Sequence, residues 1–403
     1  MLASAMFDEV PNKPPYDEDP MGTKQIQDYP QMLEVMTEII TSVAPEWNQT
    51  GYEVGLIGFP FNAILDWPMG TPSGYAFFLK PNVNNKFKNI LNRWKKDILE
   101  TEISRDLVLT KEPNGWFCEE ALKQLTDDSN PTTVKRKPFD ELFECDPNDP
   151  HYGFASWDAF FTRRFRNIDE DRPVGEENDG NWVVASCESK PFSLQKNVKK
   201  LDSFWLKGQP YSVADMVGPN VSEDTVNSFV GGTVYQAFLS ATSYHRWHSP
   251  VKGKVVYAKV IDGTLFSEQP INGFYNPDDD PNHKPDPAGP DRSQGYISHI
   301  ATRAVYLIDT EGPAGLVGAI YIGMADVSTC EIDYKFHRVD EQVESKKGIE
   351  VEKGEELGMF HHGGSTHCLL FQKDIDLTFV FEPFPQETQE NMPLRSKLAK
   401  VGQ

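Results

Sequence analysis

An α+β fold, helical in its N-terminal part and strand-rich beyond, is the architecture this sequence predicts. Apolar stripes at helical spacing are confined to the part before about residue 150. After His151 come short β-like runs broken by Gly, Pro, Asn and Asp. A polar, Pro-containing stretch, "TDDSNPTTVKRKPFD", lies between the two regimes. With 403 residues the chain can hold two or three domains. The expected division is a flexible tail over 1–22, a helical domain over 23–150 and a strand-rich domain over 151–403.

The opening "MLASAMFDEVPNKPPYDEDPMG" is rich in Pro and acidic residues, which predicts disorder. It has neither a basic n-region nor an apolar h-region, so it does not read as a signal peptide. In "PQMLEVMTEIITSV", Met32, Val35, Met36, Ile39, Ile40 and Val43 recur at helical spacing, and Pro30 suits a first turn. "NKFKNILNRWKKDIL" carries a second stripe through Phe87, Ile90, Leu91, Trp94 and Ile98, and "WFCEEALKQL" predicts a third helix. A short helix is expected in "SWDAFFTRRFRN". Strands follow in "GTVYQAFLSAT", "GKVVYAKVI", "AVYLIDTEG" and "GLVGAIYIGM", the last two joined by a turn at Glu311-Gly312. The insert over 272–295, with five prolines and no periodicity, predicts a loop, either solvated or a lid.

A net charge of −22 argues against nucleic-acid binding, which draws most of its affinity from basic patches. It should also repel anionic membrane surfaces. No run of 18 apolar residues exists to span a bilayer. Five scattered cysteines fit reduced thiols and a cytoplasmic protein better than a disulfide framework.

Chemistry-bearing residues cluster in two places. "SYHRWHSP" sets His245 and His248 three residues apart after an apolar run, and "EELGMFHHGGSTHCLLF" puts Ser365 directly after two glycines with three histidines around it. The pair could be ordinary polar residues at a strand end, or metal ligands together with His361, His362 or His367. It could also supply a base for a serine brought close by the fold. The spacing matches no zinc signature, and no metal is expected. Ser365 is not in G-x-S-x-G, so hydrolase chemistry is disfavoured. A hydroxyl that follows glycines could instead attack the carbonyl of its own preceding residue, Gly364, given a base and donors for the oxyanion.

At these residues the chain resembles the phosphatidylserine decarboxylase family. "VEKGEELGMF" followed by "HHGGST" is similar to that family's self-cleavage segment. "FFTRRFRNIDEDRPV", "LKGQPYSVADMVG", "LSATSYHRWHSPVKGKV" and "YIGMADVSTCEI" resemble four further segments in the family's order, together covering roughly residues 151–382. "GWFCEEAL" and "FDELFECDPNDPHYGF" look like the fungal branch that includes L-tryptophan decarboxylase. The resemblance implies scission between Gly364 and Ser365, with Ser365 as nucleophile and then as the source of a covalent pyruvoyl cofactor. It implies that His248 is the base for cleavage and that His245 serves the decarboxylation cycle. Glu188, in "VVASCESKPF", stands where the family has an aspartate that orients the base. Arg303 is a weaker candidate for binding substrate. His361, His362 and His367 are expected to have surface or packing roles.

The implied function is removal of CO₂ from an amino acid through a Schiff base, the pyruvoyl group serving as electron sink. The expected substrate is free L-tryptophan or a related aromatic amino acid. Phosphatidylserine is the alternative, and a non-processing scaffold a further one. The implied partners are the small-molecule substrate and the chain's own two fragments after cleavage.

Overall fold

The computed structural model describes residues 2–49, 58–201, 211–268, 293–324, 326, 329–339, 348–362, 365–381 and 390–402. The helix Tyr29–Ser42 begins where the Asp28 carboxylate accepts the Gln31 N–H at 2.8 Å, with Pro30 in the first turn. Its stripe buries Met32, Met36 and Ile39. Pro81–Trp94 buries Phe87, Leu91 and Trp94 and continues into a wider π turn, Lys95–Leu99, that buries Ile98. The third expected helix is Glu119–Asp128, its first turn capped by Cys118. Pro60–Met69 was not foreseen. Every residue after Pro60 is buried, so it shows no amphipathic stripe.

Residues 2–22 correct the expectation of a flexible tail. Leu2–Asp8 is a helix that buries Met6 and Phe7, and Tyr16 meets Trp67 edge-on at 5.2 Å. Glu9 accepts the Ser73 N–H at 2.8 Å. A few apolar anchors outweigh the Pro-rich, acidic composition on which the expectation rested.

Thirteen strands lie among the described residues. The first five are β1 (Trp182–Val184), β2 (Lys190–Lys196), β3 (Thr233–Leu239), β4 (Arg246–His248) and β5 (Gly253–Ile261). Then come β6 (Arg303–Asp309), β7 (Leu316–Gly323), β8 (Thr329–Ile332) and β9 (Ile349–Val351). The last are β10 (Glu356–His361), β11 (Ser365–Phe371), β12 (Leu377–Phe379) and β13 (Lys397–Val401). Seven form one antiparallel sheet in the order β2-β3-β11-β7-β6-β5-β9. Two smaller sheets have the orders β4-β10-β8 and β1-β13-β12.

Strand alternation splits the large sheet between two cores. Leu369, Tyr321 and Tyr306 join the core that includes the N-terminal helices. Leu370, Ile320 and Leu307 join the core under the helices Val213–Val217, Glu223–Phe229 and Gln294–Ile300. The expected turn at Glu311-Gly312 is present between β6 and β7, with Glu311 at φ +48°. The insert over 272–295 lies outside the described residues except for Ser293, Gln294 and Gly295, which lead into the helix Gln294–Ile300. No helix among the described residues is long and apolar enough to cross a membrane.

Candidate active site

Ser365 opens β11, the strand that pairs along its whole length with β3 on one side and β7 on the other. In that register Ser365 lies opposite Leu239 and Gly323, where both neighbouring strands end. The residue is fully buried, and its Oγ has no hydrogen-bond partner among the described residues. A buried hydroxyl without a partner forfeits about 1–3 kcal/mol, so such atoms concentrate where chemistry needs them free. Gly364, the other half of the expected cleavage site, lies outside the described residues.

Six residues after β3 comes His245. Its ring stacks on Phe161, with centroids 3.8 Å apart and planes 18° off parallel. Arg163 fixes the approach by donating to the carbonyls of Thr242 and Ser243 at 2.6 and 3.1 Å. The His245 carbonyl accepts the Phe360 N–H at 3.0 Å, tying this loop to β10. Neither ring nitrogen has a partner among the described residues, and burial, aided by Arg163, holds the imidazole well below its ordinary pKa.

His248 closes β4 in register with Glu356 of β10. Its Nδ1 lies 2.8 Å from the Gly354 carbonyl. A carbonyl only accepts, so Nδ1 carries the hydrogen and Nε2 keeps its lone pair. That Nε2 has no partner among the described residues. Burial lowers the pKa to about 4. A neutral, oriented imidazole with a free Nε2 is a competent base. Gly354 has φ +78° and sits against the Arg395 side chain, which explains a glycine at this point of "EKGEELG". Gly358 is needed for space, because a Cβ there would lie 2.2 Å from the Glu331 carbonyl oxygen.

Arg164 of "FFTRRF" and Arg246 of β4 both clamp Glu356 at the start of β10. Arg164 pairs with Glu356 at 2.9 Å, and Arg246 reaches both Glu356, at 2.6 Å, and the Thr162 carbonyl, at 2.8 Å.

Glu188 does not make the expected bond to His248. The Arg172 guanidinium takes Glu188, and the Gly354 carbonyl orients His248 instead. Burial raises the Glu188 pKa, partly offset by Arg172. Arg303 is not poised for a ligand in this geometry. It is buried and donates to the Met216 and Ala301 carbonyls at 2.8 Å each, and to the Asp215 carbonyl.

The three histidines around the glycines are all buried. His367 shares a face of β11 with Ser365, two residues on, between the Tyr235 and Tyr321 rings. Burial lowers its pKa to about 3, and that of His362 likewise to about 3. His361 differs. Its Nδ1 lies 2.8 Å from Asp158 Oδ1 and its Nε2 3.1 Å from Glu331 Oε2. Sequence reasoning missed Asp158 and Glu331, which the fold brings in from a helix and from β8. No group of three or more His, Cys, Asp or Glu side chains arranged for a metal ion occurs among the described residues.

A fold of this kind, with matching relatives that are themselves decarboxylases, defines an enzyme of the carboxy-lyase class. Two family profiles, both described as phosphatidylserine decarboxylase, match residues 1–125 and 157–390. The chain belongs to the phosphatidylserine decarboxylase family. It is 37% identical over 352 residues to decarboxylase iboD of Amanita muscaria, covering 85% of this chain and 91% of that one. It is 35% identical to the L-tryptophan decarboxylase of Psilocybe cubensis, over 79% of this chain and 69% of that protein. A phosphatidylserine decarboxylase proenzyme of Nitrosococcus oceani is 30% identical over 60% of this chain and 71% of its own. The resemblance to the tryptophan decarboxylase-like fungal branch holds.

Proposed function

We propose that this decarboxylase processes itself at Gly364–Ser365 and acts, through a pyruvoyl group made from Ser365, on a free amino acid, tryptophan or a related aromatic one. The observation that carries the reading is the buried Ser365 Oγ, without a partner among the described residues, on a fold that also holds His245 and His248 as neutral bases. The expected division into a helical domain over 23–150 and a catalytic domain from 151 is part of the same reading.

In the processing reaction the Ser365 Oγ attacks the Gly364 carbonyl carbon and the C–N bond breaks, leaving an ester. His248 removes the Cα proton of Ser365. The Gly364 carboxylate then leaves from Cβ, giving dehydroalanine, and water converts its enamine to a ketone with release of ammonia. The products are fragments of residues 1–364 and 365–403. A buried Ser365 and basic ring nitrogens that have no partner among the described residues fit a group formed in place. Made from Ser365, that group would supply a ketone next to an amide carbonyl, able to bind a substrate amine and to take up the electrons left when CO₂ departs. His245, packed on Phe161, is assigned to return a proton to the substrate carbon.

A free amino acid is favoured because an L-tryptophan decarboxylase matches over 79% of the chain. The charge of −22 also disfavours anionic vesicles. Five unpaired cysteines suit a reducing cytoplasm. Intact-mass measurement and a denaturing gel of the purified protein test processing. The expected result is two fragments, the smaller with a keto terminus, while Ser365→Ala stays whole and inactive. A whole wild-type chain that still releases CO₂ from an amino acid would overturn the reading. Incubation with tryptophan and with phosphatidylserine vesicles separates the substrates, and CO₂ from the lipid alone would exclude the aromatic assignment.

A further inference from the structure

We propose that His361 is a positioning residue for self-processing, a cation held between Asp158 and Glu331 that fixes where β10 ends and how the chain enters β11 at Ser365. The proposal rests on the self-processing reading above.

Stoichiometry of hydrogens supports the cation. Both ring nitrogens lie within hydrogen-bond distance of a carboxylate oxygen, at 2.8 and 3.1 Å. A neutral imidazole has one N–H and can satisfy only one of them. Asp158 and Glu331 both keep carboxyl pKa values below the usual range. For Asp158, burial opposes this but His361 outweighs it, and for Glu331 the His361 bond is the main cause. Burial works against the charged imidazole, yet the two hydrogen bonds raise its pKa above the ordinary value. Four groups from the packed elements face the ring. Asp158 from the helix Trp157–Phe161 and Glu331 from β8 attract and Lys95 from Lys95–Leu99 opposes, while His362, its pKa lowered to about 3, stays neutral.

The bridge joins parts of the chain far apart in sequence. Asp158 is 203 residues from His361, and Glu331 is 30 residues away on the neighbouring strand. His361 is the last residue of β10, paired with Thr329 of β8, four positions before Ser365. The next residue, His362, has φ +46°, a left-handed conformation that a non-glycine residue holds only when its surroundings impose it. Its ring is buried against Trp94, centroids 5.9 Å apart. Residues 361 and 362 are therefore seated on both the helical and the strand-rich parts of the molecule. Attack of a hydroxyl on its own backbone tolerates little misplacement, and an error of an ångström can cost on the order of a hundredfold.

The test is the rate of conversion of the full-length chain, made by cell-free translation, into its two fragments between pH 6 and pH 9. Wild type should process well near neutrality and lose rate as alkaline pH removes the His361 proton. His361→Phe should process roughly tenfold or more slowly, with circular dichroism checking that it folds. Should that variant misfold, Glu331→Gln decides, since it keeps an acceptor but removes one counter-charge. Its alkaline limb should move toward neutral pH, and Glu331→Asp should restore it in part. Wild-type rate and pH profile in His361→Phe, or an unmoved limb in Glu331→Gln, would overturn the proposal while leaving processing intact. A wild-type chain that never cleaves would overturn both.

Discussion

His248 carries its proton on the nitrogen facing Gly354 and stays neutral down to about pH 4. As the processing base it must be unprotonated, so the acid limb of processing should lie near that value rather than near the ordinary 6.5. Fragment yield from a pulse of synthesis should be level between pH 7 and pH 5 and collapse near 4. A limb centred at 6.5 would show that another group is the base. His248→Ala should slow cleavage roughly a hundredfold or more, whereas His245→Ala should leave cleavage near normal and lower turnover. Pre-cleaved fragments of each variant, assayed for CO₂ release, separate the two roles. These residues were legible because each sits in a short local motif. The Asp158–His361–Glu331 bridge was not, because it forms only when segments up to 203 residues apart meet. Glu188 was misjudged for a related reason: its partner, Arg172, is chosen by the fold, and nothing in the order of residues says whether that arginine or His248 comes within reach.

Helices with one apolar face, such as Pro81–Trp94, announce themselves by periodicity, whereas Pro60–Met69 is buried on all sides and does not. The N-terminus of Pro60–Met69 is satisfied from outside, because Asp326, just beyond β7, accepts the Phe61 and Asn62 N–H groups at 3.0 and 3.1 Å. Burial pushes the Asp326 carboxyl well above its usual range, although both backbone donors pull the other way. This one side chain ties the helical part to the end of the strand that flanks Ser365. Asp326→Ala should cost about 1–2 kcal/mol, the typical price of a lost helix cap, and Asp326→Asn, which keeps one of the two acceptors but sets an NH₂ against the other N–H, somewhat less. Urea unfolding of the two variants side by side checks this. Equal losses would mean that the side chain's bulk, rather than its hydrogen bonds, supports the helix.

The whole molecule buries neutral imidazoles in numbers that should dominate its response to acid. Burial lowers His248 and His299 to about 4, and His362 and His367 to about 3, from 6.5. In the unfolded chain these groups take up protons near 6.5, while in the folded chain they do so only near their lowered values. Their stabilising contribution is thus whole above pH 6.5 and is lost as the pH falls from 6.5 to each lowered value, at ~1.4 kcal/mol per pH unit for each group in that window. His361 runs the other way, since its raised value makes its contribution whole below 6.5 and lost as alkaline pH removes the proton. Urea midpoints taken from pH 8 to pH 4 should therefore fall steeply below 6.5 and only gently on the alkaline side. His367→Phe offers the sharper measurement, because a phenyl ring can occupy the space between Tyr235 and Tyr321 without a basic nitrogen. Its acid slope should be shallower than wild type by about one histidine's share. Identical slopes in the two proteins would mean that His367 takes up its proton as readily in the folded chain as in the unfolded one.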